Sequence, residues 1–318
     1  MHKVAFIIQG NNKIGFGHVF RSLRIANILK KDYDIIFYSL NYLAKKIIAQ
    51  NGFKCFFFKK KQSIKNYYTV IVDKLNNSDI FIKKLSKFNR KILIIDDKKN
   101  FKYNNINKIN FLYFPELYKN YRIINNLKFH IPIENTVKNK FNKKIKKILI
   151  IQGSSDPHNN LIKIFGAIRP IISNNIKISF YFHLGLKNID KPQFKKLFFY
   201  QKYFDNLIIT SKISNFSKVF EQCDLALTAC GITALDLLYY NTPCIYISNE
   251  YKELQTAKTF HELGIGRCFG KISIKKQKKL QYFLDDLINN YKLRLIIYKS
   301  MQNINLINSK KNFLKLLS

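Results

Sequence analysis

Acidic residues are scarce in this 318-residue chain: 19 Asp and Glu stand against 56 Lys and Arg, a formal charge of +37. A surplus of that size normally points to nucleic acid or an anionic membrane surface. Here nearly all of it is lysine, scattered along the chain among many Asn and Ile, as an AT-rich genome biases composition. Clusters such as Lys59-Lys60-Lys61, Lys143-Lys144, Lys146-Lys147 and Lys275-Lys276 read as solvated faces. No exposed aromatic stripe interleaved with Arg accompanies them, so no specific nucleic-acid partner is expected. Peripheral attachment to anionic lipid stays open, and the same field would steer a phosphate-bearing substrate.

Cysteine is also sparse. Cys55, Cys223, Cys230, Cys244 and Cys268 are odd in number and form no CxxC pair, so neither a disulfide framework nor a zinc site is indicated. Cys55, Cys223 and Cys244 lie in or beside apolar runs and read as small core residues. No apolar run is long enough to cross a bilayer, and Met1-His2-Lys3 leads into a strand pattern without a signal-peptide layout. The expectation is a cytoplasmic monomer. No internal repeat or low-complexity linker interrupts the chain. What it has in quantity is apolar: 47% hydrophobic residues, enough for two cores at this length.

In the first half, strand-length apolar runs alternate with helical stretches: Lys3 to Gln9, Tyr33 to Tyr38, Phe53 to Phe58, Tyr68 to Asp73 and Lys91 to Asp97 are the strands. Helices are predicted after Gly17, over Tyr42 to Gln50 and near Ile80 to Phe88. This order reads as a parallel sheet with helices on both faces, whose ligands bind beyond the carboxyl ends of the strands. Ile14-Gly15-Phe16-Gly17-His18 lies where the first strand gives way to the first helix. Gly15 and Gly17 permit a tight turn and close approach to exposed amides, and the helix dipole there favours an anion over an imidazolium. His18 is therefore a candidate general base beside a bound anion, the alternative being a histidine that merely satisfies a helix end. Asp73, Asp96 and Asp97 fall at strand ends and could join His18 in one crevice, although an acidic residue closing a strand is also a common turn former.

From Phe101 to Phe141 the chain is rich in Asn, Lys and Tyr, with Tyr113 to Tyr118 read as a strand end and loop and Glu134 to Lys147 as a linker. The expected division is a first domain over 1–140 and a second over 147–318. Ile148 to Gln152 restarts a sheet and feeds Gly153-Ser154-Ser155-Asp156, a small-residue loop at a helix start suited to a phosphate or to close backbone packing. Asp156 reads best as that helix's cap, His158 as an exposed loop residue and His183 as a strand-end residue. Strands follow at Ile176 to Phe182 and Asn206 to Thr210, with a helix over Phe216 to Gln222. Asp224 to Thr228 is a strand, Ala229-Cys230-Gly231-Ile232-Thr233 a turn, Ala234 to Tyr240 a helix and Thr242 to Ile247 another strand. The amides of Gly231, Ile232 and Thr233 could hold a diphosphate and Asp236 could reach a hydroxyl; alternatively Thr233 and Asp236 form a capping pair. His261 reads as exposed on a helix, and Ile274 to Ser318 as two basic helices.

The run GFGHVFRSLRIA, from Gly15 to Ala26, resembles the opening motif of the PseG family, UDP-2,4-diacetamido-2,4,6-trideoxy-beta-L-altropyranose hydrolases of pseudaminic acid biosynthesis, and of their spore-coat polysaccharide relatives. Val70 to Asp73 and Leu93 to Asp97 resemble two further signatures of that family, with Lys74 and Leu75 where it has His and Tyr. Gly153-Ser154 resembles its Gly-Gly-Ser/Thr-Asp loop. Cys230 and Asp236 stand where Gly and Glu are more usual, and Lys252-Glu253 replaces Asn-Gln ahead of Ala257 and Gly264. The resemblance implies an α/β fold of two Rossmann-like domains facing a cleft, of the GT-B type, whose closing helix, within Ile304 to Leu317, returns to the first domain. It implies a UDP-sugar substrate, with His18 activating water at the anomeric carbon and no metal or cofactor. Gly15, Gly17, Arg21, Asp96, Asp97, Gly153, Ser154, Cys230, Gly231, Ile232, Thr233, Asp236 and Glu253 would line the substrate. The alternatives are an inverting glycosyltransferase with the same base, and a non-enzymatic basic protein binding nucleic acid or a membrane surface.

Overall fold

The computed structural model describes the chain except for residues 12–13, 60–63, 112–125, 134–139, 155, 186–191, 212–214, 305, 307 and 318. The readings made for Tyr113 to Tyr118 and for the 134–139 part of the 134–147 linker fall outside the described residues. The chain divides into two compact units, Met1–Ile131 with Leu306–Ser318, and Pro132–Asn305.

The first unit runs β1 (His2–Ile8), α1 (Gly17–Leu29), β2 (Tyr33–Ser39), α2 (Tyr42–Gln50), β3 (Lys54–Phe57), β4 (Thr69–Asp73), α3 (Asp79–Phe88), β5 (Lys91–Ile95) and β6 (Ile106–Ile109). Its six strands are all parallel and lie in the order β3-β2-β1-β4-β5-β6. β4 and β5 read as near-continuous apolar runs because parallel strands covered by helices are buried on both faces. β3 is the exception: it closes one edge, and Cys55 on it is half-buried rather than a core residue.

The second unit runs β7 (Lys147–Ile151), α4 (Asn160–Asn174), β8 (Ser179–His183), α5 (Pro192–Gln201), β9 (Leu207–Thr210), α6 (Phe216–Glu221), β10 (Leu225–Thr228), α7 (Ile232–Tyr239), β11 (Cys244–Ile247), α8 (Tyr251–Glu262), β12 (Arg267–Gly270), α9 (Gln277–Asn289) and α10 (Tyr291–Gln302). Its parallel sheet has the order β12-β11-β10-β7-β8-β9, the same winding as the first. Cys223 and Cys244 are buried in it. The basic tail forms three α-helices, not two, because Asn290 breaks the α9–α10 run by capping α10 through its side chain. The last of them, α11 (Ser309–Leu317), packs on the first unit, where its terminal carbonyls accept from Asn107 and Lys91.

In each sheet the winding reverses direction between the first and fourth strands: between β1 and β4, and between β7 and β10. Such a switch point leaves a crevice beyond the carboxyl ends of the two strands, where doubly wound sheets take their ligands. The glycine turns after β1 and β10 are placed at these two points.

One glycine elsewhere holds a strand end in place. Gly266 has φ +150°, and a Cβ there would enter the Tyr246 ring, which is itself pinned by a 2.8 Å bond from its hydroxyl to the Ile265 carbonyl. Gly266→Ala is expected to destabilise the protein by about 2–3 kcal/mol, read as a lowered urea midpoint. A change under about 0.5 kcal/mol would contradict this packing.

Candidate functional site

In the first unit the site is built by one turn of helix against one strand end. Asn11 and Gly15 close a short antiparallel bridge, with Gly15 at φ +77°, and Ile14 N–H donates to Asn11 Oδ1 at 3.1 Å. Helix α1 then starts at Gly17 without a side-chain cap. His18, Arg21 and Ser22, three and four residues apart, share its buried face and all meet Asp73 at the carboxyl end of β4. His18 Nδ1 lies 2.6 Å from Asp73 Oδ1. Arg21 donates to the same carboxylate from Nε at 2.8 Å and Nη2 at 2.6 Å, and Ser22 Oγ donates to it at 3.2 Å. The other arm of Arg21 reaches Asp96, whose second oxygen accepts from Phe111 N–H at 2.7 Å. Arg21 also lies over the Phe111 ring.

This cluster is dry. Asp73 is fully buried, and Arg21 and Asp96 nearly so. Burial alone would push the Asp73 carboxyl up, but the Arg21 guanidinium and the His18 contact outweigh it and hold it well below the usual carboxylate range. For Arg21, burial is likewise outweighed by its two carboxylates, which keep it charged. An ionised Asp73 can only accept, so His18 Nδ1 carries a hydrogen, and in the neutral ring the lone pair is therefore on Nε2. Nε2 makes no hydrogen bond among the described residues. Such an arrangement can serve as an oriented general base.

Asp73, which the motif reading ranked below Asp96-Asp97, is the carboxylate that His18, Arg21 and Ser22 all contact. Asp96 belongs to the cluster through Arg21 and has φ +55°. Asp97 does not: its Oδ2 accepts from Asn77 N–H and Nδ2, and its Oδ1 from Lys99 N–H at 2.8 Å. It braces two loops and is nearly inaccessible. Lys74 turns its ammonium over the Phe81 ring. Asn110, after β6, is fully buried with both amide atoms unpaired.

In the second unit the two small-residue loops behave differently. After β7, Asp156 accepts from the Asn160 and Leu161 amides at 2.8 and 3.0 Å, so the first turn of α4 is already occupied by a carboxylate. Gly185 packs closely on this loop, since a Cβ on it would come within 2.7 Å of the Ser154 carbonyl oxygen, whereas a Cβ on Gly153, at φ +75°, would meet nothing within 4 Å. His158 is exposed, whereas His183 is buried against Phe216 at the end of β8, which holds it down at about 4. After β10, α7 starts at Ile232 with Gly231 as N-cap and no side-chain cap, so the Thr233–Asp236 capping pair does not form. Gly231, Ile232 and Thr233 remain partly accessible. The Cys230 side chain is buried, and burial pushes its thiol well up. Asp236 is also buried and accepts from Ile133 N–H at 3.3 Å, which removes it from the turn. The carboxyl group found at the turn is Glu253 of α8, with Oε1 3.4 Å from where a Gly231 Cβ would lie. His261 is exposed on α8. At the ends of the strands flanking β10, both amide atoms of Gln152 after β7 and Ser248 Oγ after β11 are buried and have no hydrogen-bond partner among the described residues.

No family model matches this chain. It is 28% identical over 276 residues to the uncharacterized protein MJ1062 of Methanocaldococcus jannaschii, a match covering 77% of this chain and 55% of that protein. It is 24% identical over 167 residues to the spore coat polysaccharide biosynthesis protein SpsG of Bacillus subtilis, covering 49% of this chain and 45% of that one. The chain thus spans about half the length of the curated relatives it matches. Among solved structures it is similar to MurG of Acinetobacter baumannii (TM-score 0.62, 13% identity, 99% of each chain). It is also similar to the glycosyltransferase SnogD of Streptomyces nogalater (TM-score 0.61, 11% identity, 100% of each). HepE of Anabaena, solved with UDP and glucose, gives TM-score 0.57 at 10% identity over 100% of this chain and 99% of that one. The fold is GT-B. Two six-stranded parallel sheets with flanking helices are its two halves. No helix among the described residues is long and apolar enough to cross a membrane.

Proposed function

We propose that this chain hydrolyses a UDP-activated amino sugar in the manner of the PseG hydrolases, in the making of a nonulosonic acid or surface polysaccharide. The observation that carries this reading is the His18–Asp73 pair, which leaves Nε2 as an oriented, unpaired base at the switch point of the first sheet. Nε2 takes a proton from water as the water oxygen bonds to the anomeric carbon. The bond from that carbon to the diphosphate breaks with inversion, and its electron pair leaves with UDP. In the second unit the uncapped start of α7 supplies amides and a dipole for the diphosphate, and the unpaired Gln152 and Ser248 side chains supply further polar partners. Support also comes from SpsG, named for polysaccharide biosynthesis, and from HepE, which holds UDP and glucose.

The second reading is an inverting glycosyltransferase, favoured by the likeness to SnogD. It uses the same base, with a sugar hydroxyl in place of water. The deciding experiment measures UDP release by purified protein from a panel of UDP-activated amino sugars without acceptor. Acceptor-free release that falls by about 10²–10⁴-fold in His18→Asn is the expected result. UDP that appears only after an alcohol is added would transfer the conclusion to the glycosyltransferase.

A further inference from the structure

The turn proposed to take the diphosphate already has a carboxyl group beside it. Glu253 is held there by a reciprocal capping box at the start of α8: its Oε2 accepts from Asn249 N–H at 2.8 Å and Glu250 N–H at 3.4 Å. Both bonds commit Oε2 as an acceptor. The other oxygen, Oε1, is the one directed at Gly231, at the N-cap of α7. A carboxylate and a diphosphate cannot both occupy this place without strong like-charge repulsion. A neutral acid with its hydrogen on Oε1 removes the conflict and turns the group into a donor.

We infer that Glu253 is a protonated hydrogen-bond donor to the diphosphate at the start of α7, so that nucleotide-sugar binding takes up a proton. This rests on the reading that the diphosphate sits there. The surroundings favour the neutral form. Burial, reinforced by the Glu250 carboxylate, outweighs the Asn249 and Glu250 N–H groups and the Asn249 side chain, which favour the ionised form, and pushes Glu253 up to about 7. The ionisable groups packed towards it from the sheet are the Cys230 thiol after β10, with Cys244 on β11 and Cys268 on β12 beyond it. The unpaired Gln152 and Ser248 side chains, on the strand ends either side of β10, are a separate sign that this edge awaits a polar ligand.

The test is the affinity of the intact protein for UDP-N-acetylglucosamine between pH 6 and 8.5, by calorimetry in two buffers of different ionisation enthalpy. Its diphosphate is a diester and does not titrate in this range. Wild type is expected to lose affinity by about tenfold per pH unit above pH 7, with net proton uptake. Glu253→Gln, which keeps an acceptor for the Asn249 amide and a permanent donor towards Gly231, is expected to bind with constant affinity and without that uptake. PH-independent binding by wild type, or an unchanged pH dependence in Glu253→Gln, overturns the inference while leaving the nucleotide reading standing. No binding at any pH overturns both.

Discussion

Asp73→Asn is expected to lower turnover by about 10³–10⁴-fold while the chain still folds. The carboxylate offers only acceptors to His18 Nδ1, which fixes the hydrogen on that nitrogen and the lone pair on Nε2. In wild type Arg21 Nε and Ser22 Oγ donate to Oδ2, while Arg21 Nη2 and His18 Nδ1 share Oδ1, so a carboxamide that keeps its oxygen at the Oδ2 position gives up the Nη2 bond and puts its NH₂ at the Oδ1 position. Its NH₂ then faces His18, which must accept at Nδ1 and carry its hydrogen on Nε2, where no base is left. The ¹⁵N shifts of the His18 ring report this tautomer change without any substrate. Retention of the Nδ1–H form, or a turnover loss below tenfold, would contradict it. Asp73→Ala differs in kind: it leaves the buried Arg21 with Asp96 as its one remaining carboxylate and is expected to cost about 3–5 kcal/mol.

The fold was largely legible because parallel strands buried on both faces announce themselves as short apolar runs. Thr69–Asp73, Leu225–Thr228 and Cys244–Ile247 all lie within runs read as strands. β6 (INKI) and β12 (RCFG) escaped because edge strands carry polar residues and little periodicity. α5 escaped through its weak amphipathicity. In the site, the glycine turn with His18 was readable from its spacing. The strand-end position of Asp73 allowed it to join His18 in one crevice, but nothing local connects it to Arg21 and Ser22, more than fifty positions away. Only the adjacency of β1 and β4, a product of the winding, brings Asp73 to them. Asp97 illustrates the converse. Its strand-end position resembles that of Asp73, yet its two oxygens are spent on Asn77 and Lys99. Of Asp236 and Glu253, both read as lining the substrate, it is Glu253 that faces Gly231, because which of the two does so depends on how α8 packs against the turn.

Arg21→Met is expected to produce a loss of stability as large as that of Asp73→Ala, and one whose pH dependence runs opposite to wild type. Arg21 is the cation shared by two buried carboxylates, and Met fills much of its volume without charge. In wild type, Asp73 is held well below its unfolded value near 3.9. Its contribution is therefore complete above pH 4 and is lost as pH falls below that. Without Arg21, burial dominates and favours the protonated acid, so the folded protein binds a proton that the unfolded chain at pH 7 does not. Stability must then rise as pH is lowered from 7 towards 5. The expected loss at pH 7 is about 3–5 kcal/mol, with about 1–2 kcal/mol recovered at pH 5. Urea midpoints for both proteins at the two pH values measure it. An equal deficit at both pH values would mean that Asp73 does not depend on Arg21 for its charge. His18 would then have to be the group that keeps the carboxylate ionised, and the base would need a different account of its tautomer.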